Sequence, residues 1–381
     1  MNLPLPERRY VNERVTLFPS LAYYDLRRGA WRAIVQGRAF DLSRIPISTR
    51  ILLKGLKRAL KATEDELASD IFRQRIQGFT AKPIRGRRIQ IELGGQTFTL
   101  RRKSRTNGAF LGIIKIPSHL VSPPNGSEKG IVKSLRIRLV GESEGESESE
   151  SDGESDGDFN NDPSLQPFPK PTGSPTATIH LLAPRGISVV SDIDDTIKAT
   201  DVSSRKSMLA NTFLRPFTAI DGMAELYRQW QTAGAAFHYV SSSPWQLFDP
   251  LAELCQLSRF PEGSMHLRYF RIRDEMFKRW RPNRRKSKAA IIAGLMKKLP
   301  ERKFILVGDS GERDPEIYRF LARKFPHQVK AILIRQLSSK PMKPRRIEKL
   351  RNIPNSVIVE LFRDANELRD FRHRMAGWID G

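Results

Sequence analysis

From about residue 185 onward, short apolar runs alternate with helix-like segments. This alternation limits the fold more than any other feature of the chain. The runs are Ile187–Ser191, Ala235–Val240, Lys303–Val307, Val329–Ile334 and Val357–Leu361. Between them stand Ile220–Ala233, closing at Gly234, then Trp245–Leu254, Ser287–Leu299, Pro315–Lys324 and Asn366–Met375. Short apolar runs of this kind suit strands buried on both faces, the situation in a parallel sheet flanked by helices. The expected fold class is α/β, a doubly wound, mainly parallel sheet. Ligands in such sheets sit at the carboxyl ends of the strands, where the strand order reverses.

The chemistry-bearing residues fall at those ends. The first run closes in Ser191-Asp192-Ile193-Asp194-Asp195-Thr196. Three carboxylates so close together just past a buried strand repel one another unless a cation is present. Oxygen ligands and phosphate chemistry favour Mg²⁺. A helix N-cap would explain one of these acids but not all three. The second run ends in Ser241-Ser242-Ser243-Pro244-Trp245, hydroxyls and backbone N–H groups suited to cradling a phosphate, although Ser-Pro is also an ordinary turn signal. The third leads into Gly308-Asp309-Ser310-Gly311-Glu312-Arg313-Asp314, two acids five apart with glycines that permit a tight turn. Lys288 opens the preceding helix and can supply a counter-charge to phosphate.

These pieces, in this order, match the haloacid dehalogenase superfamily of phosphotransferases, whose sheet is Rossmann-like. The longer phrases Val190–Lys198, His238–Leu247 and Phe304–Tyr318 resemble the actin-patch-protein type of phosphatidate phosphatase. The resemblance covers residues 185–340 well and the front half loosely. Ser242 stands where Asn is common, and Glu312 where Gln is common. The resemblance implies Asp192 as nucleophile, forming an aspartyl-phosphate, and Asp194 as general acid and then base. It implies Mg²⁺ on Asp192, the Asp194 backbone carbonyl and Asp309. Ser241 and Lys288 would hold the phosphoryl oxygens, Asp314 would orient Lys288 or the metal, and Thr196 would secure the loop. Ser242 and Trp245 would contact substrate, Trp245 at the lipid–water boundary.

The front half reads as β-rich. Trp31–Phe40, the runs 88–93 and 96–100 around Gly94-Gly95, Phe110–Ile116, Leu135–Val140 and Ala177–Leu182 are strand-like, and the paired runs form a hairpin signal. Thr63 and Glu66 have capping-box spacing at the head of a helix expected to reach Ile76. A β-sandwich-like accessory domain with a helical insertion is expected over 1–140, then an acidic, Pro-rich disordered linker over 141–175. A returning strand over 176–184 and a phosphatase-type domain over 185–381 complete the expected division. Residues 141–162 carry ten acids and no basic residue, too little apolar surface to offset the entropy of ordering.

The whole chain carries 66 Lys and Arg against 42 Asp and Glu, a formal +24, and setting aside those ten acids raises the excess to +34. Such a balance suits a polyanionic partner as well as solubility. Residues 268–288 hold ten basic side chains interleaved with Tyr269, Phe270, Phe277 and Trp280. Cations draw anionic headgroups while aromatics settle at the membrane boundary, so the expected substrate is phosphatidate at anionic membrane surfaces. The same mixture suits single-stranded nucleic acid, which keeps a polynucleotide-end phosphatase as the alternative, with a non-enzymatic membrane adaptor third. The basic stretch Lys340–Arg351 could add membrane attraction or form a solvated helix face. No apolar run is long enough for a transmembrane helix, Met1–Arg8 lacks the apolar stretch of a secretory signal, and Cys255 alone permits neither an internal disulfide nor a Cys-based zinc site. The expected location is cytoplasmic, peripheral at membranes.

Overall fold

The computed structural model describes residues 13–42, 55–124, 130–140, 174–200, 205–268 and 283–379. Residues 141–173, most of the expected linker, lie outside the described residues, as do residues 269–282 of the basic and aromatic segment. In the front half, β1 (Glu13–Leu17), β2 (Ser20–Asp25), β3 (Ala30–Asp41), β4 (Lys82–Pro83), β5 (Gln90–Leu93), β6 (Gln96–Thr99), β7 (Ala109–Lys115), β8 (Ile131–Leu139) and β9 (Thr176–Leu182) are hydrogen-bonded into one nine-stranded sheet. The strands of the expected β-sandwich-like domain are joined by hydrogen bonds into this one sheet because β3 serves two neighbours along each edge. It pairs with β2 through Ala30–Ala33 and with β1 through Gly37–Asp41, while β7 and β4 follow one another on its other side. A Cβ on Gly37 would stand 2.1 Å from the Thr16 carbonyl oxygen and 2.5 Å from the Phe110 ring, so a glycine is required where the strands crowd. Gly94 and Gly95, both at positive φ, make the β5–β6 turn. Trp31, Val35, Ile91, Phe110, Ile114 and Ile179 meet in the core of this sheet.

The helical insertion shares a core with the back half as well as with Phe40 of β3. Thr63 and Glu66 form the capping box of α1 (Glu64–Ala68). The helix stops at Ser69, whose extended backbone and hydroxyl, accepting from the Phe72 N–H, start α2 (Asp70–Thr80). The single helix expected to Ile76 is thus two. Phe72, Ile76 and Phe79 of α2 join the core of the back half with Tyr227, Trp230 and Trp245. Arg75 donates to the carbonyls of Asn211 (3.1 Å) and Thr212 (2.7 Å).

The back half is mixed α/β around a parallel sheet. Its strands are β10 (Ile187–Ser191), β13 (Ala236–Pro244), β14 (Gly263–Arg268), β15 (Lys303–Asp309), β16 (Val329–Arg335) and β17 (Ile358–Phe362), and a small antiparallel pair, β11 (Lys198–Ala199) and β12 (Thr218–Ala219), follows β10. The sheet order is β14-β13-β10-β15-β16-β17, every pair parallel. From β10 the chain moves outward on one side through β13 and β14, then returns to build β15, β16 and β17 on the other. The reversal therefore lies at the carboxyl end of β10. β14 falls outside the runs expected from the sequence, although Ser264-Met265-His266-Leu267-Arg268 alternates polar and apolar residues, because the run is short and lacks the continuous apolar character of the central strands. The helices are α3 (Arg205–Phe213), α4 (Met223–Thr232), α5 (Phe248–Leu257), α6 (Asn283–Lys298), α7 (Asp314–Lys324), α8 (Pro344–Arg351) and α9 (Phe371–Ile379). No helix among the described residues is long and apolar enough to cross a membrane.

Arg302 fixes how the chain enters β10. It is fully buried and donates from Nε to Ser188 Oγ (2.8 Å) and from Nη1 to the carbonyls of Ala183 (2.8 Å) and Arg185 (2.6 Å), with Nη2 on the Ile187 carbonyl. Replacing it leaves several buried acceptors without donors. Arg302→Met is expected to cost about 3 kcal/mol of stability, measured as the shift in a urea unfolding curve; a loss under about 0.5 kcal/mol, the level of an ordinary surface change, would contradict this role.

Candidate active site

β10 is buried along its whole length and delivers Asp192 to the switch point, where the Asp192 N–H donates to the Val307 carbonyl at 2.9 Å. The next turn is unusual. Asp195 adopts φ 55°, its N–H donates to the Lys198 carbonyl, and its carboxylate accepts the Thr200 N–H at 2.9 Å. Arg335 of β16 donates to the Asp195 carbonyl at 2.9 Å. Aspartate tolerates this left-handed conformation better than most residues. Asp195 thus shapes the loop rather than joining the carboxylate cluster. Thr196 is buried in this turn, its N–H donates to the Ile193 carbonyl at 3.3 Å, and its Oγ1 has no hydrogen-bond partner.

Asp192, Asp309 and Asp314 come together, each offering a carboxylate oxygen within 4.8 Å of the others. Asp309 ends β15, and its Oδ1 accepts the N–H groups of Gly311 (2.6 Å) and Glu312 (2.9 Å). Asp314 begins α7. A Cβ on Gly308 would lie 2.2 Å from Asp314 Oδ2, so the acid reaches its place only because glycine precedes Asp309. Lys288, from α6, lies between two of these acids, with Nζ 2.7 Å from Asp192 Oδ1 and 2.5 Å from Asp314 Oδ1. All four side chains are buried.

Burial pushes Asp192 well above the ordinary carboxylate range, and Lys288 only partly opposes it. Burial, reinforced by the charge of Asp314, pushes Asp309 up to about 7. Burial pulls Lys288 down, but Asp192 and Asp314 outweigh it, and the ammonium is held firmly charged. One lysine is therefore set against three carboxyls. Asp192 Oδ2, Asp309 Oδ2 and Asp314 Oδ2 are buried without a hydrogen-bond donor. Such oxygens are costly unless a cation satisfies them. The donor set, all hard carboxylate oxygen, fits a divalent metal ion.

The Asp194 side chain belongs to a separate arrangement. Its Oδ1 lies 2.8 Å from Lys198 Nζ, while Oδ2 accepts from Ser243 Oγ (2.5 Å) and Ser241 Oγ (3.1 Å). Burial pushes this acid up, but the Lys198 charge and these hydrogen bonds together hold it below the ordinary range. Lys198 and Ser243 escaped the sequence reading. A lysine among so many carries no signal, and the extension of β13 to Pro244, which aims Ser243 inward, is not visible in a Ser-Pro stretch. Ser242 is half-buried, and Glu312 stands at the exposed rim.

Trp245 requires a correction. It is buried, with the Arg38 guanidinium 3.2 Å above its ring and Phe40 at a centroid distance of 5.5 Å. It packs the front sheet against the end of β13 and is unavailable to a lipid surface. Arg346, within the stretch read as membrane attraction or solvated face, clamps the loop after Asp309. It donates to the carbonyls of Ser310 and Glu312 and, from Nε, to Glu316 at 2.7 Å.

With this geometry in hand, the comparisons take on meaning. Residues 187–336 match the family model "Phosphatidate phosphatase APP1, catalytic domain". That stretch holds Asp192, Asp194, Ser241, Lys288, Asp309 and Asp314 together. This segment is similar to the catalytic domain of that family. Phosphatidate phosphatase APP1 of Saccharomyces cerevisiae is 38% identical over 189 residues, 48% of this chain and 32% of that protein. An uncharacterized protein of Schizosaccharomyces pombe is 32% identical over 166 residues, 42% of this chain and 27% of its own length. The matched region spans about a third of the length of these curated relatives. Among solved structures, a HAD-family hydrolase from Deinococcus radiodurans R1 with bound phosphate and sodium is 15% identical, covering 50% of this chain and 96% of its own, at a TM-score of 0.31 that carries no argument.

The Lys288 pairing makes a stability prediction. Lys288→Met strips two buried carboxylates of their counter-charge and is expected to cost about 3–5 kcal/mol in metal-free buffer at pH 8. Adding Asp314→Asn removes one of the stranded charges, so the double variant should be more stable than the single one. Strict additivity of the two losses in urea unfolding would show that the groups do not interact.

Proposed function

We propose that this chain is a Mg²⁺-dependent phosphatidate phosphatase that releases diacylglycerol and inorganic phosphate through an aspartyl-phosphate on Asp192. The observation that carries the reading is the buried Asp192 carboxylate, held against Lys288 beside two further acids with unsatisfied oxygens, within a segment similar to the APP1 catalytic domain.

Asp192 is positioned to attack phosphorus, because Lys288 fixes one of its oxygens and leaves the other without a hydrogen bond. The new Asp192–phosphorus bond replaces the bond to the glycerol oxygen, which departs with a proton from Asp194. A water then attacks phosphorus, Asp194 takes its proton, and free phosphate leaves the regenerated Asp192. Lys198, Ser241 and Ser243 lower the proton affinity of Asp194, which suits its charged state between these steps; the proton it gives in the first step would be brought by the phosphate monoanion of the substrate on binding. Ser241 and Lys288 would hold phosphoryl oxygens, since both present donors beside the acids. Asp192, Asp309 and Asp314 would hold Mg²⁺ together with the Asp194 carbonyl, and the ion would neutralise the charge of the phosphoryl group. Phosphatidate is favoured over other phosphomonoesters by the long motifs and by the family match. The domain division read from the sequence, with its catalytic unit over 185–381, is part of this proposal, as is peripheral association with membranes.

The test is purified protein with Mg²⁺, given phosphatidate in mixed micelles beside 3′- and 5′-phosphorylated oligonucleotides. Phosphate is expected from phosphatidate, and Asp192→Asn should fold normally while losing at least about 10³-fold in turnover. Release from the oligonucleotides alone would transfer the site to polynucleotide ends. Release from neither substrate would favour a non-enzymatic adaptor.

A further inference from the structure

A second feature of α6 lies outside the carboxylate site. One side of the helix borders a cleft of about 280 Å³ whose other walls are β14 and the β3–β7 edge of the front sheet. Its lining is mainly apolar, with Ile34, Leu111, Ile113, Met265, Leu267 and Ile291 prominent. Leu111 and Ile113 are 49% and 42% exposed, among the few large apolar residues left open to water in the described chain. They project from the same face of β7, opposite Gln36 and Ile34 of β3. An adjacent pair of exposed aliphatic residues above an apolar floor calls for an occupant.

Two polar side chains of the lining are engaged with protein partners, and a third, Lys298, stands half-buried at the last turn of α6. Gln36 spends its amide on the carbonyls of Met265 (3.0 Å) and Pro19 (3.3 Å). His266 Nε2 pairs with Ser264 Oγ at 3.0 Å. A ligand lying here therefore meets mainly hydrocarbon, with the Lys298 ammonium at one end. Gly294 keeps the wall low: it sits mid-helix, where glycine costs about 1 kcal/mol against alanine, and a Cβ built on it meets nothing within 4 Å.

The cleft also runs alongside the catalytic lysine. With 3.6 residues per turn, Ala290, Ile291, Gly294, Leu295 and Lys298 share one arc of roughly 140°, and Lys288 lies about 20° beyond its edge at Leu295. From Ala290 to Lys298 the helix advances about 12 Å, a length suited to much of a fatty acyl chain. A phosphate at Lys288 and an apolar tail along the next two turns would thus use one helix.

We propose that this cleft binds an acyl chain of the lipid phosphomonoester, a reading whose occupant rests on the phosphatase assignment. The test uses the full chain and Gly294→Phe, which fills the cleft with a side chain the helix accepts. Wild type is expected to bind the fluorescent fatty acid cis-parinaric acid, and the variant to bind it at least about tenfold more weakly, a loss near 1.4 kcal/mol. The ratio of kcat/KM for dioleoyl over dibutyryl phosphatidate should fall by a similar factor. Ile113→Asp, on the opposite wall, provides the same test should Gly294→Phe fail to fold. Undiminished probe binding by the folded variant overturns the proposal whatever turnover does. A concentration-dependent dimer lost on Gly294→Phe would also overturn it, assigning the cleft to a second copy. If wild type hydrolyses neither phosphatidate, the phosphatase assignment fails, and probe binding still decides the cleft.

Discussion

The pairing of one buried ammonium with two buried carboxylates organises the back half of this protein. Lys288, Asp192 and Asp314 arrive from α6, β10 and α7, and Asp309 joins them from the end of β15. Desolvating these groups is unfavourable, and their mutual attraction only partly compensates. The sheet core supports the excess: Val189, Val190, Leu306, Val307 and Ile332 are fully buried around the strands that aim the acids. Without the lysine the acids could not stay close, and without the acids the ammonium could not stay buried. A site of this kind is suited to a divalent cation, whose charge offsets the excess of carboxylate over ammonium.

The front half is more than an appendage to that site. Arg38 and Phe40 from β3 stack on Trp245, and α2 approaches so closely that a Cβ on Gly78 would fall 2.9 Å from the Gln246 carbonyl oxygen. Both contacts bear on the residues directly after Ser241–Ser243. The front sheet and its helices thereby brace the serines that hold Asp194. The Met265 N–H reaches the Pro19 carbonyl at 3.1 Å, so β14 is tied to the front sheet as well.

Much of the parallel sheet could be read from the sequence because strands buried on both faces are apolar at their centres, as Phe304–Val307 and Ala331–Ile334 are. The strands that escaped notice have a mixed character. Gly263–Arg268 lies at the sheet edge against the front half, where Ser264 and His266 find partners that no periodicity reveals. Single-strand reasoning treats β3 as one ordinary element, whereas its length lets it carry β1, β2, β4 and β7 and so join the strands of the front half into one sheet. At the site, the acids stood out because carboxylates so near buried strands need a physical reason. Lys198, Ser243 and Arg346 did not, since their significance lies in where β11, β13 and α8 fold. Trp245 misled because an aromatic beside a serine cluster has the same sequence appearance whether it faces lipid or core.

The cluster's defining property is that three carboxylates and one lysine leave a place for a single divalent cation. Anomalous diffraction from crystals grown with Mn²⁺ tests this directly. The account predicts one strong peak coordinated by Asp192 and Asp309, with Lys288 still against Asp192. Carboxylates lying apart, or manganese bound only elsewhere on the protein, would contradict it.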